Sequence, residues 1–170
     1  MRGWALTVAV AALAAGGSAS AEIKERRRDV FTLVYEAPVS ASPEAIHARV
    51  FAPGEWWADA ATLGGKGAGM RLDARSGGCL CEAMPAGPYV HGIVDDATRR
   101  DVRVYALLGP VVDAADEAWL HISWPQTRDG GRTVRMTYQV RGPHVGRLAE
   151  DADAFLAPSF RRLAESLAAP

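Results

Sequence analysis

The chain has 170 residues, 49% of them apolar, a net charge of −1 and two cysteines. That length fits one domain with ample material for a core, and the composition excludes a disordered chain. The only basic cluster is Arg26-Arg27-Arg28, which gives no electrostatic footprint for nucleic acid, so none is expected as a partner.

Met1-Arg2 is a short basic start, Trp4 to Ala15 is an apolar run without charge, and Ala19-Ser20-Ala21 puts small residues where a signal peptidase reads. A signal peptide over residues 1–21, cleaved after Ala21, is therefore expected. The run is twelve residues long, short of the roughly 20 a spanning helix needs. Glu22, not a lipoprotein cysteine, follows the cut, so no stable membrane anchor is expected and the chain reads as exported. Residues 22–28 read as a charged linker and residues 29–168 as the folded domain.

Asp29 to Val39 is rich in β-branched and aromatic residues and predicts a strand. Ser42-Pro43-Glu44 then supplies an N-cap followed by proline at the first helical position, predicting a short helix to about Phe51. Pro53-Gly54 ends it, and Glu55-Trp56-Trp57 predicts a second short helix or packed turn. Gly64-Gly65-Lys66-Gly67 lacks the spacing and hydroxyl of a phosphate loop and reads as a flexible connection.

Strand-like runs follow at Gly69 to Ala74, Gly78 to Met84, Tyr89 to Val94, Asp101 to Leu108, Ala118 to Trp124 and Arg132 to Arg141. The last two are joined across Asp129-Gly130-Gly131, a hairpin signal. Parity turns Leu120, Ile122 and Trp124 inward together with Val134, Met136, Tyr138 and Val140. From Val145 to Leu167 the residues Leu148, Ala152, Phe155, Leu156, Leu163 and Leu167 recur at helical spacing, with Pro158 expected to kink or restart the helix.

The order resembles the START-like (SRPBCC) superfamily, particularly its branch similar to the activator of heat-shock-protein ATPase. The features that carry the resemblance are SPEAIHARV at 42–50, Trp56-Trp57, GGCLCE at 77–82, HGIV at 91–94, LLGP at 107–110, GGRTVRMTYQVRG at 130–142 and the terminal helix. It implies an α+β helix-grip fold: a curved antiparallel sheet of about seven strands around a long C-terminal helix, with two short helices after the first strand. It also implies a cavity between sheet and helix, suited to a lipid, a polyketide or another small hydrophobic molecule. Under a signal peptide, the resemblance places such a protein in the periplasm. Trp57, Met70, Val104, Leu120, Ile122, Trp124, Met136, Tyr138 and Phe155 are the expected lining.

No nucleophile elbow, nucleotide loop or metalloprotease helix is present, so a non-enzymatic binding protein is the leading expectation and no cofactor is called for. The alternative is a cyclase- or dehydratase-like enzyme with His91, Glu82 or Tyr138 as acid–base groups in an apolar pocket. Cys79 and Cys81 lie on one face of a regular strand, too far apart for a bridge unless the backbone is distorted. They are read as buried free thiols, ahead of a local disulfide and of a metal or redox role for which Glu82, His91 and His121 are the only added ligands.

Overall fold

The computed structural model describes residues 21–168; the expected signal peptide lies outside them except for Ala21. The chain forms one eight-stranded antiparallel sheet in the order β1-β2-β8-β7-β6-β5-β4-β3. Its strands are β1 Glu22–Arg27, β2 Val30–Val39, β3 Met70–Leu72, β4 Cys79–Met84, β5 Gly87–Ala97, β6 Asp101–Ala106, β7 Glu117–Ser123 and β8 Arg132–Arg141. Helix α1, Pro43–Val50, follows β2, and helix α2, Ala149–Ala168, closes the chain.

Alternation places the inner face as expected. Leu120 and Ile122 are buried with Val134, Met136, Tyr138 and Val140, whereas Arg135 is exposed. On α2 the buried residues Ala149, Ala152, Leu156, Phe160, Leu163 and Leu167 form one stripe at helical spacing. This stripe meets the sheet in a single core, where the Tyr35 and Phe160 rings pack at 5.3 Å. Burying such side chains is worth about 1.5–3 kcal/mol each, so this layer contact dominates the fold's stability.

Two local expectations are corrected. Residues 22–27, expected as a linker, form edge strand β1, paired with β2 from Glu22↔Val34 to Arg27↔Val30. Its stabilisation comes from the backbone ladder and from side chains that reach α2, among them Arg26 with Glu150, so hydrophobic alternation is not required. Alternating charges also suit an exposed edge. Pro158 does not restart the helix: α2 is continuous through it. The proline removes the N–H that would bond the carbonyl of Ala154, and Ala154 is on the exposed side, where water can take that carbonyl. The second short helix or packed turn expected at Glu55-Trp56-Trp57 takes the form of short 3-10 turns, Pro53–Glu55, Asp59–Ala61 and Gly67–Gly69.

The expected cap of α1 is present: Ser42 accepts the Ala45 N–H at 3.2 Å. Trp56 and Trp57 are core residues with satisfied tips, their indole N–H groups donating to the carbonyls of Arg49 and Ala61. Among the described residues no helix is long and apolar enough to cross a membrane.

Candidate functional site

Two of the three acid–base candidates are brought together. In the β4–β5 ladder Leu80 pairs with Gly92 and Cys81 with Val90, so His91 is an extra residue opposite no partner. A bulge of this kind bends the strand and re-aims a side chain. Here His91 Nε2 comes to lie 2.8 Å from Glu82 Oε2, with Glu82 only 1% exposed. The carboxylate also accepts the backbone N–H groups of Leu63 and Gly64 at 2.9 and 2.6 Å. Burial pushes the Glu82 carboxyl up, but the bonds from Leu63, Gly64 and His91 outweigh it and hold the group below the ordinary glutamate range. Glu82 is therefore an ionised anchor for the 63–64 connection, and the Gly64 segment expected to be flexible is tied down by it.

Tyr138 stands elsewhere. It lies on β8, with β7, β6 and β5 between it and β4, about 19 Å along the sheet at ordinary strand spacing. Its hydroxyl donates to the Ala106 carbonyl at 3.1 Å and accepts the Leu108 N–H at 2.9 Å. Burial pushes its pKa far above the usual tyrosine value. The hydroxyl is thus committed to closing the end of β6 and does not join Glu82 and His91.

Cys79 and Cys81 are bonded as a disulfide, which overturns the reading of two free thiols. Their Cα atoms are 5.4 Å apart, whereas two rises of a regular strand span about 6.6 Å. The register shift of the β4–β5 ladder falls between Leu80 and Cys81, inside this shortened span. The metal reading loses its ligands, because the sulfurs are spent on each other and His121 sits on Asp101 at 3.4 Å instead. Among the described residues no cluster of three or more His, Cys, Asp or Glu could hold a metal ion.

Of the residues expected to line a cavity, Trp57, Met70, Val104, Leu120, Ile122, Trp124, Met136 and Tyr138 belong to the continuous buried core. Phe155 is half-buried, its ring laid over Gly109, where a Cβ would come within 2.7 Å of it. Trp124 and Met70 also border surface pockets. The Trp124 pocket, about 590 Å³, lies at the α1 end of the sheet. Glu44 and His47 of α1 form one wall, Arg99 and Arg100 of the β5–β6 turn another, and Arg132 opens β8 beside them. The Arg100 carbonyl accepts the Trp124 backbone N–H at 3.0 Å, which pins the turn to the end of β7. His47 and Phe51 pack edge-on against the Trp124 ring. No spacing signal in the sequence gathers these arginines; they meet only because two turns and α1 share one end of the sheet.

A second pocket, about 610 Å³, lies on the outer sheet face between Asp95, Arg103, Trp119 and His121. There the Arg103 guanidinium sits 5.5 Å from the centre of the Trp119 ring and pairs with Asp95, so its charge is already neutralised.

No protein-family model matches the chain. No curated protein matches it either. Solved structures do. A protein from Rhodobacter sphaeroides is 17% identical with a TM-score of 0.53, over 86% of this chain and 97% of that one. An uncharacterized protein from Rhizobium leguminosarum is 18% identical with a TM-score of 0.56, over 85% and 98%. The di-domain ARO/CYC protein StfQ from the steffimycin biosynthetic pathway is 12% identical with a TM-score of 0.56, over 84% of this chain and about half, 52%, of that one. At these identities the likeness is one of fold, and together with the sheet order and the gripped terminal helix it gives the chain a helix-grip α+β fold.

Proposed function

We propose that the chain is an exported, non-catalytic carrier or sensor of a small hydrophobic molecule, taken up at the α1 end of the sheet. The observation that carries this reading is the 590 Å³ pocket bordered by Trp124. Its size is in the range of small-molecule sites. Trp124 lies on the same sheet face as Ile122 and Leu120, and Met136 stands opposite Ile122, so the apolar Trp124 wall of the pocket is continuous with the buried core. Export, with the periplasm as the compartment, rests on the basic start, the apolar run and the Ala19-Ser20-Ala21 site. A disulfide at Cys79–Cys81 fits an oxidising compartment.

The test is the mass of the protein purified from an exporting host, under native and then denaturing conditions. An organic adduct that is released on denaturation, on a chain beginning at Glu22, is the expected result. A chain that keeps residues 1–21 refutes export. A protein that binds nothing in a subsequent screen of fatty acids, sterols and polyketides refutes the carrier.

The Glu82–His91 contact favours a second reading, a cyclase- or dehydratase-like enzyme. Against it, Glu82 already accepts three donors and borders none of the pockets described above. The readings separate on the fate of the bound molecule: released unchanged it supports the carrier, released minus a water or cyclised it supports the enzyme.

A further inference from the structure

The Trp124 pocket carries more charge than a hydrophobic ligand needs. Arg99, Arg100 and Arg132 all border it, with Glu44 the sole carboxylate among its lining residues. None of the three guanidinium groups is in an ion pair among the described residues. Among the described residues Arg103 pairs with Asp95 and Arg135 with Glu36, and other arginines without a carboxylate, such as Arg128 and Arg147, do not share a pocket with a second one. Three unpaired cations converging on one concavity repel one another, and the arrangement is relieved by an anion.

A second, independent observation points the same way. Trp124 is 1% exposed, and its indole N–H is the one buried side-chain donor without a partner among the described residues. Buried donors are paired in folded proteins with few exceptions, and each exception calls for an explanation. The other two core tryptophans conform, donating to Arg49 and Ala61. Trp124 borders the same pocket as the three arginines, so the unpartnered donor and the unpaired cations belong to one site.

We propose that the pocket takes an amphiphilic organic anion, a carboxylate on an apolar chain, with one carboxylate oxygen toward the Trp124 N–H and the other among Arg99, Arg100 and Arg132. This deepens the carrier reading and rests on it. Guanidinium groups suit a carboxylate because they offer paired donors in a planar fork.

The experiment is calorimetric titration of the full chain with decanoate, decanol and decyltrimethylammonium, each below its micellar concentration. Decanoate is expected to bind about tenfold tighter than decanol, equivalent to about 1.4 kcal/mol, and the preference should shrink as salt is raised. In a variant carrying Arg100→Gln and Arg132→Gln, decanoate should weaken to the level of decanol while decanol binding stays as it was. Unchanged decanol binding also shows that the variant is folded. Trp124→Phe keeps an aromatic wall and removes the donor, and should cost decanoate about threefold, about 0.7 kcal/mol, and decanol less, since its neutral oxygen is the weaker acceptor. Equal binding of decanoate and decanol, a preference for the cation, or a preference that survives the double substitution overturns the proposal while leaving the carrier standing. If none of the three probes binds, this inference falls, and the carrier is decided by the wider screen of fatty acids, sterols and polyketides.

Discussion

Replacing Glu82 by Gln tests whether the buried carboxylate is the anchor of the 63–64 connection. Glu82 accepts three donors, from Leu63 at 2.9 Å, Gly64 at 2.6 Å and His91 at 2.8 Å. Bonds to a charged acceptor contribute about 1.5–3 kcal/mol each and are not additive. Gln preserves the shape and one acceptor oxygen, but turns an amide N–H toward a donor. A net loss of about 3 kcal/mol is expected, less than the sum because the partners are partly open to water. With a urea slope of about 2 kcal/mol/M, the unfolding midpoint falls by about 1.5 M.

The pH dependence gives the sharper check. A carboxyl whose folded pKa lies below its unfolded value contributes fully above the unfolded value, and the contribution is lost as pH falls through the folded one. The folded pKa of Glu82 is lowered, so the stability gap between the native protein and Glu82→Gln should be constant from neutral pH down to about 5 and close below the glutamate range of about 4.3. Other carboxyls titrate alike in both proteins and cancel in the difference. Midpoints agreeing at pH 7, or a gap that persists unchanged to pH 3, would refute the anchoring role.

Tyr138→Phe should lower stability by about 1–3 kcal/mol, because the Leu108 N–H and Ala106 carbonyl are left buried without their partner; thermal unfolding reads it, and an unshifted midpoint denies the role. The Cys79–Cys81 bridge closes a loop of three residues, for which the chain-entropy relation gives only about 1.6 kcal/mol. The Cys79→Ser, Cys81→Ser variant should therefore fold with a loss of that order, while the native chain, denatured without reductant, should take up no alkylating agent. Alkylation of both cysteines would disprove the bridge. Gly92→Ala puts a Cβ 2.6 Å from both Ala106 Cβ and the Tyr105 carbonyl, a backbone neighbour that cannot swing away, and should cost at least about 2 kcal/mol. At Gly77, where φ is +78° and the space around a Cβ is open, alanine should cost only about 1 kcal/mol from backbone strain.

Most of the sheet and both helices were legible because their signals are local or periodic: Leu120-Ile122 against Val134-Met136-Tyr138, the Ser42-Pro43 cap, the α2 stripe. Strand β1 was not, since Glu22–Arg27 carries one apolar residue and owes its conformation to the β2 ladder. Non-local geometry hid the rest. The disulfide between Cys79 and Cys81 spans a break in strand register whose extra residue, His91, is on the neighbouring strand. The Glu82–His91 contact follows from the same displaced register. The adjacent Arg99 and Arg100 are far along the chain from Arg132, and only a shared pocket gives them a common face.

The order of the strands also governs when this chain can fold. β2, the second strand made, pairs with β8, nearly the last, and its Tyr35 closes on Asp153 of α2 across 118 positions. Until β8 and α2 have emerged, the first strands have no inner neighbour and the β3–β7 meander has no helix to cover it. Long-range closure of this kind is slow, because the entropy of a large loop is lost before its contacts form. Closure of the sheet and core therefore waits until late in synthesis, and on the export reading that delay is useful: it lets the last-made helix set the moment of folding on the far side.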